Sequence, residues 1–432
     1  MSNPRPIAES LWWSRPLDSL VIGPHAVAVS DEVELLVAGG GLTGMLLAVA
    51  CASAGLSVAI VDRQEPAAFL GEEFDGRTSA IAYGSRNVLD ALGLWLALAP
   101  DAEPILEIRV ADDDSPLFLH YDHRELGTGT PLGYIVENRV LRRVLIERVR
   151  SLPNLHLLAP VAVGSVLSTS AAAIASLSGG RQIKTRLVAA ADGQKSRLRE
   201  AAGIRTVEWR YLQTCIVTTV HHERPHQGIA VEHFLPAGPF AILPMTGNRS
   251  SIVWTERTEL ARRLVDLSDT AFTAELATRF RDFLGTVEPI GPRWTYPISL
   301  LLAENYVAPR LALVGEAAHV IHPIAGQGLN LGIRDVAALA ELVIDMRRLG
   351  LDIGSRPLLE QYQLWRRLDV LALAAVTDGL NRLFSNSLLP VRLARDFGLA
   401  AVNRIPPVKR LLMRDAMGIT GDLPRLVRGE PL

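Results

Sequence analysis

Two hydrophobic periods run along this chain, and the places where one gives way to the other mark its elements. Glu34 to Ala38, ELLVA, is a short apolar run; glycines follow, and then Leu42 to Ala54 stays small or apolar for several helical turns. Gly55 stands where a helix C′ residue belongs, and Val58 to Val61 forms a second apolar run ending at Asp62. This pattern predicts a strand, a helix and a strand, the size of one right-handed crossover.

The pattern changes at residues 105 to 122, where IRVADDD and SPLFLHY read as two short strands around an acidic turn, an antiparallel excursion from the first layer. In NRVLRRVLIERVR, residues 138 to 150, apolar positions 140, 141, 144, 145 and 149 form a helical stripe opposite an arginine-rich face. Ile183 to Ala191 is a buried strand running into Asp192-Gly193. Between 211 and 256, the runs YLQTCIVTTV, GIAVEHFLP, FAILPM and SSIVWTE are separated by Pro, Gly and Asn, which predicts an antiparallel sheet inserted between parts of the first domain. Leu311 to Val314 is again a buried strand, a long helix follows over about 328 to 348, and the remaining chain is mostly helical, with prolines at 390, 406, 407, 424 and 431.

Composition narrows the classes. The chain has 432 residues, 49% of them hydrophobic, enough for a large core and two or three domains. A formal charge of −2 argues against a nucleic-acid partner, which needs a concentrated excess of Lys and Arg. Cys51 and Cys215 lie far apart in apolar surroundings and read as buried reduced thiols, which fits a reducing, cytoplasmic compartment. Every apolar run is interrupted by charge or proline before reaching the roughly 20 residues that cross a bilayer. Residues 1–33 show neither a signal-peptide nor a transit-peptide pattern and are treated as an extension.

Three motifs carry chemistry. VAGGGLTG sets Gly39, Gly41 and Gly44 at G-x-G-x-x-G spacing between a strand and a helix, where a tight turn and free N–H groups favour a pyrophosphate. Asp62, at the end of the next strand, has a carboxylate that can accept both ribose hydroxyls of an adenosine. After the Ile183 strand, Asp192, Gly193, Ser196 and Arg199 follow D-G-x-x-S-x-x-R spacing, which by itself also fits a plain turn. The third is GEAAHVIHPIAGQGLNLGIRD, residues 315 to 335, a small-residue loop delivering a helix N-terminus at Gly328. His319 and His322 lack the third ligand of a metal site, the pair His221-His222 reads as a solvated turn, and Asp112 to Asp114 reads as an acidic hairpin tip rather than a calcium site. No Ser/His/Asp order or Gly-x-Ser-x-Gly elbow favours hydrolysis.

In this order and spacing the motifs resemble the single-component flavin aromatic hydroxylases that share the para-hydroxybenzoate hydroxylase fold. HPIAGQGLNLGIRD, residues 322 to 335, is similar to the signature of the ubiquinone-biosynthesis hydroxylases. The similarity extends through DGRTSAIAYGS (75 to 85), LGYIVENRVLRRVL (132 to 145), GPFAILPM (238 to 245) and the tail around TDGLNRLFS and AMG. The resemblance implies an α/β fold: a Rossmann-like FAD-binding domain, an inserted antiparallel β-sheet substrate domain and a C-terminal helical region. The corresponding bounds are 34–104, 132–205 and 299–355 for the FAD-binding domain, 105–131 and 206–298 for the substrate domain, and 356–432 for the helical region.

It also implies site roles. Gly39, Gly41 and Gly44 would cradle the FAD pyrophosphate, Asp62 the adenosine ribose, and Arg77 and Asn138 the phosphates. Asp192 and Gly193 would serve both FAD and a transient NAD(P)H co-substrate, which has no Rossmann unit of its own in this chain. Glu316 would hold the ribityl chain, where the family usually has Asp. Gly328 starts the helix whose Leu329 and Asn330 N–H groups would face the flavin pyrimidine edge, where the helix dipole stabilises negative charge. His322 and Pro323 are the flavin-proximal candidates for catalysis; no base is identified, and no metal is implied. The implied reaction is hydroxylation of a polyprenylated phenol or benzoquinol in ubiquinone biosynthesis, with O2 added at the flavin C4a carbon as a hydroperoxide. Pocket candidates are Phe240, Leu243 and Pro244.

A greasy substrate bears on location. Leu388 to Met417 mixes apolar residues with Arg392, Arg395, Arg404, Lys409, Arg410 and Arg414, a composition compatible with peripheral contact to the inner membrane or docking to other quinone-biosynthesis proteins. A helix pair capping the domain accounts for it equally. Two further readings stay open: a related flavoprotein hydroxylase or reductase with another substrate, and, because of Glu316 and the N-terminus, a non-catalytic scaffold.

Overall fold

The strand Glu32–Ala38 sits at the centre of the first sheet, pairing in parallel with Val58–Val61 on one side and Gln182–Ala190 on the other. Leu155–Leu158 extends the parallel array beyond Val58–Val61, and Leu311–Leu313 extends it beyond Gln182–Ala190. Every residue of Val58–Val61 is buried, as expected of parallel strands covered on both faces. The helix Leu42–Ser53 packs against this sheet and against the helix Gly328–Arg348, and a hairpin of Val163–Ser168 and Ala173–Leu177 extends Gln182–Ala190. The computed structural model describes residues 31–65, 76–112, 118–280, 283–384 and 402–432. The expected extension up to residue 30, Asp75, the hairpin tip at 113 and 114, and the tail from 385 to 401 lie outside the described residues.

A second, eight-stranded sheet has the order His319–Val320, Val287–Ala303, Thr206–His222, Arg249–Arg257, Gly238–Met245, Ile229–Leu235, Glu107–Asp112, Phe118–Asp122. Its neighbours are antiparallel, except that Ile229–Leu235 runs parallel to Glu107–Asp112, which is how the early excursion joins a sheet built mainly from later sequence. The strand Val287–Ala303 carries this sheet past residue 298, and His319–Val320 adds the loop of the third motif to its edge. A three-stranded antiparallel sheet, Thr78–Ala82, Gly133–Glu137 and Ala102–Ile105, makes up the remainder.

Two large packed cores stand out among the described residues. The larger lies around the parallel sheet; the smaller packs Phe240, Trp254, Phe272 and Phe280 between the second sheet and the helices Thr258–Val265 and Asp269–Phe280. Those two helices, the strand Val287–Ala303 and the three-stranded sheet escape a reading of hydrophobic period, because their apolar positions complete cores assembled from distant sequence. His221 and His222 are not a solvated turn. They end the long strand Thr206–His222, and His222 is buried, its Nδ1 against Arg224 O at 2.7 Å and its Nε2 against Ser250 Oγ at 3.1 Å. Cys51 and Cys215 are both buried free thiols.

Candidate active site

The turn between the first strand and first helix depends on two glycines. Gly39 has φ +113°, and a Cβ there would lie 2.2 Å from Ala191 O; a Cβ on Gly44 would lie 2.0 Å from Gly39 O. No side chain can enter either position without moving the backbone. At Gly41 a Cβ would meet nothing, so protein packing does not demand glycine there. Gly41 is the N-cap of Leu42–Ser53 and offers no side-chain cap, which leaves the first-turn N–H groups free for an anion. Asp62 is aimed at this turn: Oδ2 accepts the Gly40 N–H at 2.5 Å and Oδ1 accepts the Gln64 N–H at 2.7 Å.

Gly39, Gly41, Asp62, Asp192 and Gly193 line one cavity of about 470 Å³. Asp192 Oδ2 accepts the Leu198 N–H at 3.4 Å, whereas its Oδ1 is buried with no protein partner. The rest of that motif is structural. Ser196 Oγ caps the helix Arg197–Ala201 by accepting the Arg199 N–H at 3.0 Å. The buried Arg199 guanidinium donates to Gln194 O at 3.0 Å and Ala317 O at 2.9 Å, tying this loop to the turn that carries Glu316.

That turn, Gly315–Ala317, follows the strand Leu311–Leu313 and leaves Glu316 exposed. Gly315, at φ +63°, donates its N–H to Asp335 Oδ2 at 3.0 Å. The same oxygen lies 2.6 Å from His319 Nε2, and Arg366 Nε donates to Oδ1 at 2.7 Å. Burial opposes ionisation of Asp335, but the charges of and hydrogen bonds from His319 and Arg366 outweigh it and hold the carboxyl below its ordinary range. His319 is therefore a partner of Asp335 rather than half of a metal pair with His322. Among the described residues Glu107, His120 and Asp122 bring three possible metal donors together, but Arg109 and Arg124 already pair with their carboxylates.

A second cavity, of about 140 Å³ and mostly apolar, lies between the third motif and the second sheet. Pro323, Gln327 and Asn330 line one side, and Tyr121, Ala241 and Leu243 another. Along Gly238–Met245, positions 239, 241 and 243 face this cavity, as the two-residue period of a strand requires. Phe240 accordingly points to the smaller core, so the pocket candidates Phe240 and Pro244 give way to Pro239 and Ala241, and only Leu243 lines the cavity.

The helix Gly328–Arg348 opens this side of the site without a side-chain cap. Gly328 is exposed and Leu329 half-buried, while the Asn330 side chain staples the helix start to the strand Thr78–Ala82. Its Oδ1 accepts the Ala82 N–H at 2.9 Å, and its Nδ2 donates to Ala80 O at 2.9 Å and Gly326 O at 3.1 Å. His322 is fully buried; its Nδ1 accepts the Ile324 N–H at 3.3 Å, and its Nε2 has no protein partner. Burial lowers its pKa to about 4, with the Asp378 charge opposing that shift. Arg77 stacks over Trp294 at 5.0 Å, and its carbonyl accepts the Asn138 N–H at 2.9 Å, while Asn138 Oδ1 accepts the Ser79 hydroxyl at 2.6 Å.

Of the expected residues, Gly39, Gly41, Asp62, Asp192 and Gly193 meet in the first cavity and Pro323 and Asn330 in the apolar one, whereas Gly44, Arg77, Asn138, His322, Gly328 and Leu329 line neither; Glu316 sits on a turn tied to the Asp192 loop through Arg199 and to the long helix through Asp335. Asp335, Arg366 and the Asn330 side chain were not legible as contributors, since their partners lie far away in sequence.

A family model for an FAD binding domain matches residues 32–373, so the chain belongs to the FAD-binding flavoproteins. Within that class it belongs to the FAD-dependent hydroxylases of ubiquinone biosynthesis. It is 51% identical to ubiquinone hydroxylase UbiL of Rhodospirillum rubrum over 95% of this chain and 96% of that protein. It is 35% identical to the 3-demethoxyubiquinol 3-hydroxylase of Escherichia coli, over 90% of this chain and 100% of the relative. In fold it is similar to the crystal structure of p-nitrophenol 4-monooxygenase PnpA from Pseudomonas putida, with a TM-score of 0.74 at 21% identity, covering 90% of this chain and 99% of that one. The residues present fit FAD: a glycine turn that a Cβ would fill, open room at Gly41 and an orphaned Asp192 oxygen face one cavity.

Proposed function

We propose that this chain hydroxylates the aromatic ring of a polyprenylated phenol or benzoquinol intermediate of ubiquinone biosynthesis, with NAD(P)H and O2 as co-substrates. The observation that carries the reading is the apolar cavity bounded by the Pro323–Asn330 loop and the second sheet, in a chain that also holds a dinucleotide cavity fitting FAD. Bound FAD would supply hydride acceptance from NAD(P)H and activation of dioxygen, one oxygen atom going to the ring and the other leaving as water.

The chain supplies position and exclusion of water. The first-turn N–H groups after Gly41, together with Gly39 and Gly44, hold the pyrophosphate; Asp62, oriented by Gly40 and Gln64, holds the adenosine ribose. Arg77 and Asn138 serve the phosphates, Asp192 offers its unpaired Oδ1, and Glu316 holds the ribityl hydroxyls. Leu329 and Asn330, at the start of an uncapped helix, present N–H groups that stabilise negative charge on the reduced ring. The apolar walls at Ala241, Leu243 and Met413 accept a ring with a hydrocarbon tail and keep water out.

The segments 105–131 and 206–298 act in this reading as the substrate domain, on the FAD-binding framework of 34–104, 132–205 and 299–355. The chain works peripherally at the cytoplasmic face of the inner membrane beside other quinone-biosynthesis proteins, and no described helix is long and apolar enough to cross the bilayer. The test is turnover by the FAD-loaded protein of a prenylated phenol with NAD(P)H under isotopically labelled dioxygen. One labelled oxygen in the ring supports the reading; NAD(P)H oxidation that yields only hydrogen peroxide rejects it.

A further inference from the structure

The helix Pro406–Ala416 shows two apolar faces where one would suffice to hold it in place. On the inner face Met413 and Ala416 line the apolar cavity, and Met417, just beyond, is buried with them. On the outer face Ile405, Val408 and Leu411 are 47%, 41% and 60% exposed, and Leu412 beside them is also exposed. These positions recur every three or four residues, so they form one stripe along the helix. Arg404, Arg410 and Arg414 are exposed nearby and have no carboxylate partner among the described residues. The one carboxylate on this side of the helix, Asp415, accepts the Thr420 hydroxyl at 2.7 Å.

The helix is fastened as a wall rather than left loose. Lys409 Nζ lies 2.5 Å from Glu125 Oε1, and the His120 N–H donates to Asn403 Oδ1 at 3.4 Å, which joins the helix and its lead-in to the edge of the second sheet. The edge strand Phe118–Asp122 repeats the pattern, with Tyr121 lining the cavity and Phe118 exposed.

We propose that the outer face of Pro406–Ala416, with Phe118, seats on a bilayer containing anionic lipid, so that the hydrocarbon tail of the substrate enters the cavity beside this helix without crossing water. This rests on the reading that the substrate is polyprenylated. Charge favours the lipid: arginines without carboxylate partners flank the leucines, and interfacial helices pair an apolar stripe with Lys or Arg in this manner. Size favours it as well. Four or five side chains on one convex helix fall short of the roughly 800 Å² per partner of a stable protein interface, whereas a bilayer needs only shallow insertion.

The test is co-sedimentation of the FAD-loaded full chain with vesicles of phosphatidylcholine alone and of phosphatidylcholine mixed with phosphatidylglycerol, at low and high salt. The wild type is expected to sediment with the mixed vesicles, more weakly at high salt. Leu411→Asp with Leu412→Asp should bind about tenfold more weakly or worse while keeping its FAD absorbance, which reports the fold. Arg410→Gln with Arg414→Gln should remove most of the salt dependence. A wild type that stays in the supernatant, or a leucine variant that sediments like the wild type, overturns the proposal. So does a leucine variant whose only change is loss of a dimer by light scattering, since a second copy would then cover the face. Sedimentation requires no turnover: a chain that binds vesicles but hydroxylates nothing refutes the substrate reading alone, and one that turns over a short-chain phenol but never sediments refutes the docking, and the peripheral placement with it, while the hydroxylase reading stands.

Discussion

Asp335 Oδ2 accepts the N–H of Gly315 at 3.0 Å, and this bond from the long helix fixes the backbone one residue before Glu316. Asp335 is wholly buried, and the same carboxylate answers the buried guanidinium of Arg366 at 2.7 Å. Removing Asp335 would leave the buried Arg366 guanidinium with Asp369 as its remaining acidic partner, at 2.7 Å, and losing one partner of a buried pair costs up to about 3 kcal/mol. Asp335→Ala is therefore expected to lower the unfolding free energy by that order, shifting the denaturant midpoint down, and to weaken FAD retention, both readable in one titration followed by flavin fluorescence. Wild-type stability with normal FAD affinity would show that the network is not what holds the turn.

Glu316 itself is exposed on that turn, and compared with aspartate it reaches farther by one C–C bond, about 1.5 Å. Glu316→Asp should bind FAD at least as well as the wild type. Glu316→Ala should lose about one hydrogen bond's worth of affinity, roughly 1 kcal/mol. Equilibrium dialysis with FAD reads both, and unchanged affinity in the pair removes the ribityl role from this position.

Neighbouring positions on one strand should behave oppositely. Ala241 lines the apolar cavity and Ile242 is buried in the smaller core behind it. Ala241→Phe should retain FAD and stability but raise KM for a prenylated phenol sharply, because the added ring fills the cavity. Ile242→Ala should spare KM and cost about 2–5 kcal/mol of stability by leaving a hole. Steady-state kinetics paired with thermal melts separates them; similar behaviour in both would mean that the strand's two faces are misassigned.

His322 should couple stability to pH. Its pKa in the fold is about 4 against an ordinary 6.5, because burial disfavours the imidazolium. The unfolded chain therefore binds the proton first, so this residue's contribution is complete above about 6.5 and is lost as pH falls towards 4. His322→Gln should show a shallower loss of stability than the wild type across that window in urea titrations at stepped pH. Parallel curves would mean that the imidazole is solvated.

Much of this architecture can be read locally. A strand, a glycine turn, a helix and Asp62 fall within about thirty residues, and the contacts that make the turn need glycine run between near neighbours, Gly44 against Gly39 O at 2.0 Å. The buried parallel strands are likewise legible, because a run apolar on both faces has few other uses. His222 was misread for the opposite reason: its partner Ser250 comes from a strand that sequence spacing does not bring near it.

By itself, then, the sequence determined the class of fold, the dinucleotide turn and, through resemblance, the family, since those depend on short-range geometry and on motifs carried whole. Only the tertiary structure decided which face of Gly238–Met245 meets the cavity, that Asn330 clamps a strand 250 residues away, and that Asp335 and Arg366 hold the turn of Glu316. Each depends on a register or a buried charge pair formed between distant segments, and hydrophobic period sets which positions are apolar without saying what they will meet.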